Sequence, residues 1–216
     1  MPATAPTRDR LLDAAERLFV EHGLERTSLR QITGEAGANL AAVNYHFGSR
    51  LALVRAVFER RLQPMNAERL RQLDAAEAAA EAAGAPCAEL EAILRAFLRP
   101  ALVLGRQAGG RDVLRLIARA HSTDNPEVQQ ALLEAFGEVA RRFTRALERA
   151  LPTLPRPEVL WRLHFLVGGL VQTLLSGEIL TTFSQGACDV HDEEAVLERL
   201  VEYGLAGFRA AVESAS

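Results

Sequence analysis

Ala41, Ala42, Asn44, Tyr45 and His46 stand close together in the run L-A-A-V-N-Y-H-F, whose helical spacing turns Leu40, Val43 and Phe47 to the opposite face. Two alanines, an amide, a phenol and an imidazole make a face that is small and able to hydrogen-bond. Such a face can sit close to the floor of a nucleic-acid groove. A second group of chemically capable side chains lies far downstream, where Cys188 and His191 are three apart and adjoin Asp189 and Asp192. Two ligands of that kind without a second Cys or His pair fall short of a zinc pattern, so no metal and no other cofactor is expected. The chain also has no Ser/His/Asp motif, phosphate loop or paired-carboxylate signature, and the residues do not point to an enzyme.

The elements that must position the first face are legible around it. Asn39 is a cap for its helix, and Ser28 caps a preceding helix over about 29 to 35, in which Leu29, Ile32 and Ala36 share one side before Gly37 ends it. Residues 27 to 61 therefore read as two short helices packed across a tight turn and followed by a third. That is the layout of a helix-turn-helix DNA reader. Upstream, Thr7 caps a helix over 7 to 22 whose stripe of Leu11, Leu12, Ala15, Leu18 and Phe19 braces the reader, and Gly23 terminates it.

Downstream, a longer helix runs from about 50 into the seventies with Leu53, Val57 and Phe58 buried and Pro64 kinking or restarting it. The Ala/Glu-rich stretch 74 to 83 is either a solvated helix end or, as favoured here, the edge of a linker into Gly84 and Pro86. Helical patterns follow at about 87 to 105, 111 to 121, 126 to 150, 157 to 183 and 193 to 213. Asn125-Pro126 is a cap followed by a first-turn proline, and P-T-L-P-R-P at 152 to 157 separates two long helices. No segment alternates as a strand does, and there is no internal repeat. The expected fold is all-α, with about nine helices.

The composition agrees with a globular protein: 216 residues with 49% hydrophobic content are enough to bury a core. The longest apolar candidate, near 163 to 175, is broken by His164 and Gln172, so no membrane span is expected. The start, MPATAPTRDR, lacks the apolar core of a secretion signal, and two cysteines make no disulfide framework; both fit a cytoplasmic protein. The net charge of -3 is unevenly spread, because residues 1 to 62 hold nine Arg against seven Asp and Glu while the remainder holds sixteen against twenty-one. The basic excess sits with the reader. Every basic residue is Arg, which suits bidentate phosphate and guanine contacts and is equally explained by a GC-rich coding sequence.

The run A-G-A-N-L-A-A-V-N-Y-H-F-G-S-R, preceded by S-L-R-Q-I, resembles the DNA-binding domain of TetR-type transcriptional regulators over residues 8 to about 62. The tetrad Tyr45-His46-Phe47-Gly48 followed by Ser49 and a basic residue is a long ordered pattern. The resemblance implies residues 1–62 as a helix-turn-helix DNA-binding domain and 63–216 as a helical ligand-binding and dimerisation domain. By the same resemblance Tyr45 and His46 hydrogen-bond phosphates, Arg50 stands where the family usually has Lys, and Ser28 with the early amides of its helix clasps another phosphate. Arg30, Leu40, Ala41, Ala42 and Asn44 match the base-edge positions. A guanidinium at Arg30 can grip guanine O6 and N7, Asn44 can pair with adenine, and Leu40, Ala41 and Ala42 offer apolar contact to thymine methyls. Tyr45 can instead be a half-buried packing residue, and Arg30 a surface or phosphate contact. Asn44 is also a departure, since many members have Tyr-Tyr-His-Phe, so the operator is not inherited from them.

The family resemblance further implies a homodimeric repressor on double-stranded DNA, released by a small hydrophobic molecule; a helical DNA-binding or partner-interaction protein that senses no ligand is the alternative. Two apolar stripes are expected at the dimer seam: Leu163, Val167, Leu170 and Leu174, with Leu197, Leu200, Val201, Gly204 and Phe208. Part of these stripes must be ordinary core. The segment L-W-R-L-H-F-L-V-G-G and the run N-L-A-A-V-N-Y-H-F-G-S together look like a branch that includes fatty-acid and acyl-CoA responsive repressors. Phe97, Leu98, Leu102, Leu116, Phe136, Val139, Phe143 and Phe165 can line an apolar tunnel or be plain core. Arg162, His164 and His121 can meet a polar head group or be satisfied internally, and Arg106 with Arg111 can form an anion-binding mouth or a solvated loop.

Overall fold

Local signals place the helices almost everywhere they were expected. In the computed structural model, which describes residues 5–107, 109–121 and 123–211, nine helices follow one another. They are α1 (Thr7–His22), α2 (Leu29–Glu35), α3 (Leu40–Phe47), α4 (Arg50–Ala82), α5 (Leu90–Arg106), α6 (Gly110–His121), α7 (Pro126–Ala150), α8 (Arg156–Phe183) and α9 (Glu193–Arg209). No strand occurs among the described residues.

Several boundaries differ from the sequence reading for identifiable reasons. Thr7 is the first helical residue of α1 rather than its cap: Pro6 occupies the cap position, and the Thr7 hydroxyl accepts from Arg10 instead. Helix α4 continues past Pro64 and through the Ala/Glu-rich stretch, which is therefore helical rather than a linker. Alanine propensity and ion pairs from Asp74 to Arg142 and from Glu77 to Arg142 and Arg149 hold that stretch. Gly84, at φ +70, then turns the chain. Helix α9 stops at Arg209, short of 213; Ala210 already has extended backbone, and 212 and 213 lie outside the described residues.

The chain divides into two compact units, Met1–Pro64 with Asp112–Gly137, and Met65–Arg111 with Glu138–Ser216. The unit around the reader thus takes in a central segment beyond residues 1 to 62. Its core is the expected stripe of α1, all buried, joined by Ile32, Val43, Leu53, Val57 and Phe58. In the other unit α9 packs on α5 and α8. Gly204 makes this possible, because a Cβ there would meet Leu94 at 3.0 Å and Leu166 at 3.4 Å.

This packing places part of the expected dimer seam inside the chain. Leu170, Leu197, Leu200, Val201, Gly204 and Phe208 are buried within the chain, as α5 and α8 consume the apolar side of α9. Leu163, Val167 and Leu174 are half-buried. The open apolar surface lies on another face of α8, where Phe165 (57% exposed), Ile179 (68%) and Phe183 (86%) stand with Trp161 and Leu175, and Tyr203 is exposed on α9. By length and composition alone α8 is long and apolar enough to cross a membrane. Arg162, Gln172 and Glu178 interrupt it, and its backbone leaves helical geometry at Ser176.

Candidate nucleic-acid interface

The reader is assembled by side chains that hold the turns as well as by its core. Ser28 and Gln31 form a reciprocal cap on α2, with the Gln31 N–H donating to Ser28 Oγ at 3.3 Å and the Ser28 N–H donating to Gln31 Oε1 at 2.8 Å. Asn39 Oδ1 accepts from the Ala42 N–H at 2.9 Å, which starts α3, and Gly48 at φ +80 ends it. Helix α1 packs against both α2 and α3, which pack on each other.

On this scaffold Val43 alone of the α3 apolar set is fully buried. Phe47 is half-buried, with the Arg8 guanidinium 5.4 Å from its ring centroid. Leu40, expected to pack inward by its spacing, is 47% exposed at the first position of α3 and shares the open side with Ala41, Asn44 and Tyr45. Tyr45 is 84% exposed, so it is not a packing residue. Its ring meets His46 edge-on at 5.0 Å, while Ala42 and His46 are half-buried. Arg30 is exposed on α2. Leu40, Ala41, Asn44 and Tyr45 on α3 and Arg30 on α2 are thus all exposed.

Charge on that unit is sorted by pairing. Arg17 is bound to Glu35, Arg55 to Glu134, Arg60 to Asp13 and Glu16, and Arg61 to Glu16. Arg8, Arg10, Arg26, Arg30 and Arg50 have no carboxylate partner among the described residues. Arg50 is nevertheless occupied: its guanidinium donates to the Leu24 carbonyl and, at 3.3 Å, to the Thr27 carbonyl. It fastens the chain between α1 and α2, the stretch that also carries exposed Arg26. Thr27 secures the same stretch by donating its hydroxyl to Gly23 and Leu18 carbonyls at 2.8 and 3.1 Å. Arg50→Ala is accordingly expected to lower stability by about 1.5–3 kcal/mol in a urea titration, the magnitude of losing hydrogen bonds from a charged donor. An unchanged midpoint would show that Arg50 acts on a partner alone.

Arg26, Thr27 and Arg119 are the residues that sequence reasoning missed here. Arg119, on α6, donates to the Phe19 and Val20 carbonyls at 2.8 and 2.5 Å and so caps the C-terminus of α1 with positive charge. Thr27 and Arg26 flank the Ser28 cap and were legible from that position. Nothing local marks Arg119, whose partners lie about a hundred residues away.

The expected effector residues are only partly brought together. Phe97 and Phe143 meet edge-to-face at 5.1 Å, both buried, and Leu98, Leu102 and Val139 are buried. Leu116, buried, and Phe136, half-buried, belong to the reader's unit. Phe165 lines no interior, since it is exposed and stacked on Trp161 at 5.7 Å. Arg162 caps the C-terminus of α9, donating to the Gly207, Phe208 and Ala210 carbonyls at 2.8 to 3.0 Å. His164 and His121 are exposed. Arg106 is tied to Val190 and Glu193, and Arg111 to Glu178. Near Cys188, Asp189 accepts from the His191 N–H, and no three potential metal ligands converge among the described residues.

Comparison with known proteins matches these two parts of the chain. The HTH-type transcriptional regulator SrpR of Pseudomonas putida is 39% identical over 59 residues, which span 27% of this chain and 28% of that protein. A second P. putida regulator, the uncharacterised TtgW, shares 39% over 59 residues, 27% of this chain and 44% of its own length. The chain thus spans less than half of either. Among solved structures, SmeT, the repressor of the Stenotrophomonas maltophilia efflux pump SmeDEF, in complex with triclosan superposes with a TM-score of 0.62 at 21% identity, covering 91% of this chain and 90% of SmeT. The regulator FadR of Bacillus subtilis in complex with stearoyl-CoA gives 0.59 at 14%, covering 89% and 97%. These two show a common fold. Residues 11–57 match the model of bacterial regulatory proteins of the tetR family, and residues 95–207, more than half of the chain, match the tetracyclin repressor-like C-terminal domain. The chain belongs to the TetR family of bacterial transcriptional regulators.

Proposed function

We propose that the protein is a homodimeric transcriptional repressor that works in the cytoplasm, holds a double-stranded DNA operator through α2 and α3, and releases it when a small hydrophobic effector binds. The observation that carries this reading is the exposure of small and hydrogen-bonding residues on α3, together with that of Arg30 on α2, which has no carboxylate partner among the described residues. Tyr45 and His46 are assigned to phosphates, together with Ser28 and the missed Arg26; Arg30, Leu40, Ala41, Ala42 and Asn44 are assigned to base edges. Arg50 contributes by holding the Arg26 stretch in place.

Dimerisation is assigned to the exposed face of α8 and to Tyr203 rather than to the buried stripe of α9. A second copy suits this surface better than lipid, because polar residues recur along α8 and paired readers, if held about 34–36 Å apart, suit successive major grooves. For the effector, stearoyl-CoA in FadR and triclosan in SmeT favour an apolar compound, and the buried Phe97–Phe143 pair makes α5 and α7 its candidate region. A fatty acid or acyl-CoA is the reading carried forward.

A gel-shift titration against the DNA flanking the protein's own gene tests the central claim. One sequence-selective complex is expected, with affinity falling roughly 10³-fold or more between about 50 and 200 mM salt if six or more phosphates are contacted. Absence of a selective band at every salt concentration would end the proposal. Native mass spectrometry of the purified protein addresses the effector, where a bound aromatic compound would overturn the lipid choice.

A further inference from the structure

Among the described residues, Arg69 is the one strongly buried cation that the reading above leaves unused. It occupies a core position of α4: Leu62, Met65, Arg69 and Leu73 follow helical spacing and all are buried, Arg69 at 4% exposure. Its Nε donates to the Phe97 carbonyl at 2.8 Å, and its guanidinium carbon lies 4.2 Å from the centroid of the Phe97 ring, which in turn meets Phe143. A carbonyl and a ring face solvate a guanidinium without neutralising it.

No carboxylate pairs with Arg69 among the described residues, and the acids along the same stretch of α4 are committed elsewhere. Glu68 binds Arg71 and Gln72, Asp74 binds Arg142, and Glu77 binds Arg142 and Arg149. Burial, with no nearby anion to offset it, pushes the Arg69 guanidinium down to about 9. A hydrophobic side chain at this position would fill the core without that desolvation cost, since buried charges are commonly replaceable by apolar groups at no loss of stability.

We infer that Arg69 is the counter-charge for an organic monocarboxylate whose apolar body lies against Phe97 and Phe143. One buried cation matches one negative charge, and the planar fork of a guanidinium matches a carboxylate in two parallel hydrogen bonds. A phosphate or the phosphates of a coenzyme A thioester need further cations, and Arg71, Arg142 and Arg149 are already bound to acids. The inference rests on the proposed control by a small hydrophobic effector and narrows it from fatty acid or acyl-CoA to the free acid.

Thermal unfolding of the full-length protein tests this with decanoate, benzoate and 2-naphthoate, each beside its uncharged counterpart decanol, benzamide or 2-naphthamide, and with acetate and sodium phosphate as small anions. At least one of the three apolar acids is expected to raise Tm with concentration, at a tenfold or greater potency over its uncharged counterpart, while acetate and phosphate leave Tm unchanged. Arg69→Met is expected to unfold at or above the wild-type Tm without ligand and to lose the response to acid. Arg69→Lys should retain a weakened response. No acid response in the wild type, equal stabilisation by the uncharged compound, stabilisation by phosphate alone, or a full response in Arg69→Met would each overturn the inference. Gel shifts on the same preparations separate the two readings: selective DNA binding with no acid response removes only the carboxylate site, and acid response with no selective DNA binding removes only the repressor.

Discussion

Replacing Phe165 and Ile179 together with glutamate is expected to give a folded monomer that binds the operator on the order of 100-fold more weakly than the wild type. Both side chains lie on the outer face of α8, at 57% and 68% exposure, so the substitutions leave the core of α5, α8 and α9 untouched. In a symmetric dimer each replaced residue occurs twice, and four carboxylates brought into an apolar seam lose hydration and repel one another. Loss of the second reader removes the gain from coupling two binding events, which is about 10²–10⁴ in affinity. Light scattering after size-exclusion chromatography reads the assembly, and circular dichroism verifies that the helices persist. A variant that stays dimeric with native affinity would move the interface elsewhere. A wild-type protein that is monomeric and partitions into vesicles would assign the α8 face to lipid.

The second large effect is expected at Arg30. Arg30→Ala should reduce discrimination at one operator position by about 1–3 kcal/mol while leaving binding to unrelated DNA nearly unchanged, the signature of a lost guanine contact. Arg26→Ala is the matched comparison: weakening should be similar for every sequence, with the salt slope reduced by about one. Both arginines are exposed and lack a carboxylate partner among the described residues, so neither truncation strands a buried acid. Equal losses on all sequences from both variants would make Arg30 another phosphate contact and shift base reading toward Asn44. The comparison is independent of Arg50, whose bonds to Leu24 and Thr27 carbonyls mix stability with binding.

Much of the reader was legible because its information is local. A serine with glutamine three residues on, an asparagine before a short apolar period, and glycines at positive φ specify starts and stops through hydrogen bonds within a single turn. The stripe of α1 and the caps of α2 and α3 stand where residue types place them. The Ala/Glu-rich end of α4 was misread because composition shows weak anchoring, whereas the ion pairs to Arg142 and Arg149 that hold it come from α7.

The roles of individual arginines and of the long apolar helices were not legible, for a different reason. An arginine in sequence is one charge with many reachable partners. Arg162 became the cap of α9, Arg119 the cap of α1, Arg50 a clasp, and Arg69 a buried cation, according to which carbonyls or rings packing brought close to each guanidinium. Periodicity likewise shows that α8 and α9 each have apolar sides, but two stripes are compatible with an internal core or a dimer seam. Residue order and capping chemistry alone therefore determined the helices, their sequence along the chain and the family of the reader, because those depend on contacts a few residues apart. Tertiary packing decided which apolar face was buried inside the chain, which charges were paired, and which, such as Arg30 outside and Arg69 within, have no carboxylate partner among the described residues, because burial and electrostatic pairing depend on segments far apart in sequence.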